Sequence, residues 1–84
     1  MEFGDKVKLL RKKHDLSQDS LATILKINRN CLSRIETGKS EPSLSVIRDI
    51  AEYFKVDVAS LMDNDLDFLI RVISVMREEY VKQK

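Results

Sequence analysis

Four side chains within six residues, Arg29, Asn30, Ser33 and Arg34, have the types and the spacing to read a polar surface. Positions 29, 30, 33 and 34 share one face of a helix. Arg can grip O6 and N7 of guanine, Asn can grip N6 and N7 of adenine, and Ser can meet either base. Each good bidentate pair gives about 1–3 kcal/mol of discrimination. The same four residues would also suit an ordinary solvated helix face, and residue types alone leave both readings open.

Other polar residues fit anchoring rather than reading. Ser17 suits a helix N-cap, where a hydroxyl accepts an orphan amide and the exposed N–H groups favour an anion such as phosphate. Asn28 suits the same two roles, with capping the simpler. Lys39 and Ser40 follow the polar face and could reach a phosphate beside it, which sets register and affinity without reading sequence. Catalytic chemistry has little to work with. One His (His14), one Cys (Cys31) and no Gly-rich phosphate loop leave no enzyme constellation, no structural metal site and no internal disulfide. His14 reads as a helix-end or surface residue. Cys31 reads as small-residue packing or a contact to a thymine methyl, ahead of a redox switch.

These side chains need short helices to position them. Phe3 to His14 carries Phe3, Val7 and Leu10 at helical spacing, with Lys6, Lys8, Lys12 and Lys13 largely on other faces. Behind Ser17, residues Leu21, Ala22, Ile24 and Leu25 mark a second helix, interrupted at Lys26-Ile27-Asn28. A third helix, roughly Arg29 to Thr37, buries Leu32 and Ile35, and Gly38 suits a left-handed C-cap. Pro42 pins the loop 39–43, and Ser43 caps a fourth helix carrying Leu44, Ile47, Ile50, Ala51 and Phe54. Asp57 caps a fifth, Val58 to Met62. Asp65 to about Lys82 reads as a sixth. Leu21, Leu25, Ile27, Leu32, Ile35, Ile47, Ile50 and Phe54 are the expected core, with Ala22 small so that the second and third helices approach closely. The fold class is therefore all-α, with a domain over 1–63 and a C-terminal helix over 64–84. Two short helices around a three-residue turn, the second basic and polar on one face, describe a helix-turn-helix whose second helix enters the DNA major groove.

From Leu10 to Met62 the chain resembles the lambda-repressor-like (Cro/cI, Xre-type) DNA-binding domain. The markers are LSQ at 16–18, LA at 21–22, SRIE-x-GKS-x-P at 33–42 and IAEYFKVDVASLM at 50–62. The resemblance implies a five-helix fold, a dimer on a two-fold-related operator and control of transcription. It places Arg29, Asn30, Ser33 and Arg34 at the positions that meet the major groove. It makes Gln18 a phosphate contact that braces the recognition helix. It also joins Arg11 to Glu36 as a pair linking the first helix to the end of the third. One departure stands in the turn, where the family often has Gly and this chain has Lys26. A positive φ there costs a non-glycine residue roughly 1 kcal/mol.

Beyond the resemblance, the tail carries two apolar stripes: Leu66, Leu69, Ile73, Met76 and Tyr80, and then Phe68, Val72 and Val75. Together they exceed what one buried helix face needs. One stripe is expected on the domain and the other on a partner, with a second copy the simplest partner. These eight residues form the expected dimer interface.

Charge distribution agrees with an anionic target. Residues 1–40 hold nine Lys/Arg and five Asp/Glu, a net of +4, whereas residues 41–84 hold six and nine, a net of −3. The N-terminus lacks the apolar stretch of a secretory signal, and no 18-residue uncharged apolar run exists, so a cytoplasmic protein without a membrane span is expected. The sequence points to a dimeric, sequence-specific regulator, a repressor by preference, binding double-stranded DNA without a cofactor. The alternative is an antitoxin-like regulator whose C-terminal helix grips a protein partner.

Overall fold

The computed structural model describes residues 1–62, 68–70 and 72–73. Five helices follow in order: α1 (Phe3–Lys13), α2 (Gln18–Leu25), α3 (Arg29–Glu36), α4 (Leu44–Phe54) and α5 (Val58–Met62). Residues 68–70 and 72–73 are also helical. Among the described residues there is no strand, so the all-α expectation holds. Helices α1 and α3 each stop one residue short of the expected end, at Lys13 and Glu36, with His14 and Thr37 as their C-caps.

The helix starts are set by local chemistry. Ser17, Asn28 and Ser43 each sit in extended conformation and accept an amide from three residues on: Ser20 at 3.0 Å, Cys31 at 2.7 Å and Val46 at 3.2 Å. The ends share another device. Asp15, Lys26, Gly38 and Lys55 all have left-handed backbones, with φ of 55°, 58°, 77° and 56°. In each case the next residue donates back to a carbonyl five positions earlier: Leu16 to Arg11, Ile27 to Ala22, Lys39 to Arg34 and Val56 to Ala51. Three of the four pivots are not glycine and carry a cost of roughly 1 kcal/mol each. An apolar residue follows each of the three: Leu16, Ile27 or Val56, packed into or against the core. Their burial offsets the strain.

That core draws Val7 and Leu10 from α1, Leu21, Ala22 and Leu25 from α2, Leu32 from α3, Ile50, Ala51 and Phe54 from α4, and Leu61 from α5. Ile35 and Ile47 are buried as expected, Ile27 is only partly buried, and Leu44 is exposed. His14 closes the end of α1, its Nδ1 2.9 Å from the Leu10 carbonyl and its ring edge-on to Phe54 at 4.8 Å.

Two findings correct the sequence reading, and a third adds to it. Lys6, set on an outward face, is fully buried. Its ammonium donates to the Ser60 carbonyl of α5 at 2.8 Å and lies 5.3 Å from the centre of the Phe68 ring. A carbonyl in the last turn of a helix and an aromatic face both suit an ammonium group. Second, Phe68 and Val72, expected in a dimer interface, belong to the core cluster itself. The core thus continues past residue 63. Leu69, Ile70 and Ile73 face outward, while Leu66, Val75, Met76 and Tyr80 lie outside the described residues. Third, Gly4 is buried in α1 because α1 crosses the end of α3 closely. A Cβ there would stand 2.4 Å from the Ile35 carbonyl oxygen and 2.6 Å from that of Glu36.

Candidate nucleic-acid interface

Helix α3 is a rod held from behind. Leu32, Ile35 and Glu36 are buried, and the opposite face presents Arg29, Asn30 and Arg34 to solvent with Ser33 half-buried. Its entry is fixed by Lys26 in the left-handed conformation (φ 58°, ψ 39°) and by the Asn28 cap. The turn therefore keeps the backbone that glycine favours, despite carrying a lysine. Its exit is fixed at Gly38, where the Gly38 amide donates to Ile35 at 3.2 Å and that of Lys39 to Arg34 at 2.8 Å.

Behind the rod, Glu36 is the hub. Arg11 approaches it as a fork, Nε donating to Oε2 at 2.8 Å and Nη2 to Oε1 at 3.1 Å, with the side chains only 10% and 2% exposed. The remaining Arg11 nitrogen, Nη1, donates to the Leu16 carbonyl at 2.9 Å. Gln18 adds a third donor, its Nε2 3.1 Å from Glu36 Oε1. A buried carboxylate with charge-assisted bonds on both oxygens is satisfied, and it ties α1, the 14–17 loop and the start of α2 to the last turn of α3. Gln18 thus contacts the scaffold through one amide hydrogen. Gln18 as a whole is half-exposed.

On the outer side the polar residues are engaged more loosely. Arg29 Nε lies 3.7 Å from Asp19 Oδ1, with side chains 63% and 72% exposed. Arg34 Nε donates to the Ser40 hydroxyl at 2.9 Å. Ser17 caps α2 and donates to the Ser20 hydroxyl at 2.9 Å, so what it can offer an anion is the helix end and its amides. Lys39 is exposed on the loop that follows α3. Sequence reading brought out the outward residues of α3 but missed Asp19, ten positions upstream of Arg29, because no local pattern links the two. For Lys6 the signal existed: Phe3, Lys6 and Leu10 recur at spacings of three and four, the same helical stripe as Val7.

A family model described as helix-turn-helix matches residues 7–61, well over half of the chain. The chain belongs to the Cro/cI-type helix-turn-helix family. That family is one of DNA-binding transcriptional regulators. The chain is 42% identical over 63 residues to the antitoxin PezA of Streptococcus pneumoniae, covering 75% of this chain and 40% of PezA. It is 32% identical over 65 residues to the HTH-type transcriptional activator BcrR of Enterococcus faecalis, covering 77% of this chain and 32% of BcrR. The chain thus spans less than half the length of either relative. Among solved structures, the P22 c2 repressor protein in complex with a synthetic operator superposes with a TM-score of 0.71 at 17% identity, covering 76% of this chain and 97% of that one. No described helix is long and apolar enough to cross a membrane.

Proposed function

We propose that this chain is a sequence-specific, double-stranded DNA-binding transcriptional regulator, acting in the cytoplasm as a dimeric repressor. The observation that carries the reading is the outward polar face of α3, braced from behind by the Arg11–Glu36–Gln18 cluster. In this reading α3 enters the major groove, Arg29, Asn30, Ser33 and Arg34 meet base edges, and Ser17, Gln18, Asn28, Lys39 and Ser40 meet phosphates. The family supports it, as does the operator-bound neighbour named above. Repression needs only occupancy of a promoter, so no cofactor is required. Selection of bound sites from random duplex DNA tests it: a recovered two-fold-related motif is expected, and no enrichment over input would overturn it.

Dimerisation would set two α3 rods about 34–36 Å apart on successive half-sites. Leu69, Ile70 and Ile73 support this, since they form an outward apolar patch on the C-terminal segment. Leu66, Met76 and Tyr80 recur at the same helical spacing as Leu69 and Ile73 in sequence. Because Phe68 and Val72 hold the core, the test is substitution rather than truncation. Sedimentation should give a dimer for the unaltered chain and a monomer for Leu69→Glu/Ile73→Glu; an unchanged dimer in the variant would overturn the interface.

The likeness to PezA favours one second reading, an antitoxin-like regulator in which the same patch grips a protein partner. Co-purification of a second, tightly bound chain that is lost in Leu69→Glu/Ile73→Glu would support it.

A further inference from the structure

Arg29 and Arg34, one near each end of the outward face of α3, each have a partner facing Nε, hydrogen-bonded for Arg34 and a looser ion pair for Arg29. Each guanidinium is approached at Nε, by the Asp19 carboxylate at 3.7 Å and by the Ser40 hydroxyl at 2.9 Å. A guanidinium presents a rigid fork of donors. With Nε facing that partner, the Nη1 and Nη2 hydrogens at the end of the guanidinium remain for another acceptor pair. Two parallel donors of that kind match the two acceptors, O6 and N7, that guanine shows in the major groove.

The two holders differ in charge. Ser40 is neutral and orients Arg34 without offsetting its charge. Asp19 is anionic, 72% exposed and in the first turn of α2, beside the reading face. Facing a polyanion, it opposes approach and cancels part of the Arg29 charge. Facing a phosphate, Arg29 brings Asp19 toward a second anion, which repels it and offsets the attraction of the guanidinium. To reach guanine end-on, Arg29 keeps Asp19 at Nε and gains two hydrogen bonds.

We infer that Asp19 is a specificity-determining residue that acts through Arg29, biasing the guanidinium toward end-on contact with a base edge and lowering affinity for duplexes that offer no paired acceptors there. The inference rests on the proposed base-reading role of Arg29. An exposed pair at this separation contributes little to folding. The effect of Asp19 therefore falls on binding selectivity, not on stability.

The test compares the unaltered chain with Asp19→Asn, Arg29→Ala and the double variant. Three duplexes are used: the selected operator, that operator changed at the base pair Arg29 reads, and random sequence. Asp19→Asn should raise affinity for random duplex and reduce discrimination at that base pair, each by roughly two- to fivefold, the scale of an exposed ion pair. In the Arg29→Ala background, Asp19→Asn should leave discrimination at that base pair unchanged. Discrimination that Asp19→Asn leaves intact, or alters equally with and without Arg29, would overturn the inference. If Arg29→Ala alone changes no base preference, the base-reading assignment itself is overturned.

Discussion

Two arginine–carboxylate pairs flank the second half of the helix-turn-helix unit, and they differ in almost everything except chemistry. Arg11 and Glu36 meet at 2.8 Å with side chains 10% and 2% exposed, while Arg29 and Asp19 stand 3.7 Å apart at 63% and 72% exposed. Inside, both charges have left water, so each depends on the other and on the surrounding carbonyl and amide groups. Outside, water solvates each charge alone, and the pair can open at little cost. The first pair fixes where α3 lies. The second leaves Arg29 available to something else. Burial, more than residue type, separates scaffold from reader in this molecule.

The largest test of that contrast is removal of one buried partner. Glu36→Ala strands Arg11 and should cost about 3–5 kcal/mol of stability, measured by urea unfolding. A loss as small as that at the exposed pair would erase the distinction. Next is the close crossing of α1 over the end of α3. Gly4→Ala sets a methyl against two carbonyl oxygens and should cost about 1–3 kcal/mol, visible as a lower midpoint in the same experiment. Smaller and opposite in sign is Lys26→Gly, which relieves a left-handed backbone and should add up to about 1 kcal/mol without altering base preference. The smallest stability effect belongs to the outward pair. Arg29→Ala should shift unfolding by less than about 0.5 kcal/mol while changing how DNA is read.

Sequence showed most of the fold because its signals are local. Ser17, Asn28 and Ser43 announce three helix starts, Gly38 one end, and the apolar spacing from Leu21 to Phe54 the buried faces. Asp15 and Lys55 were illegible as left-handed pivots, since side-chain type does not demand that backbone; the apolar residue after each does, and only once packed. Gly4 depends on a contact with α3 some thirty residues away. The two apolar stripes of the tail could be seen but not assigned. Which one turns inward is decided by the shape of the core that receives Phe68. At the site, the outward face of α3 was legible from its polar spacing. The holders of its arginines were not, because Asp19 and Arg29 meet only after the turn folds.

Paired titrations across salt concentration test the outward face of α3 most directly. Arg29→Ala should lose preference at one base pair of the selected operator and bind random duplex nearly as before. Lys39→Ala should weaken all duplexes alike and reduce the slope of log affinity against log salt by about one. If Arg29→Ala instead loses affinity equally for operator and random duplex, Arg29 does not read a base and the outward face of α3 is not the reading element.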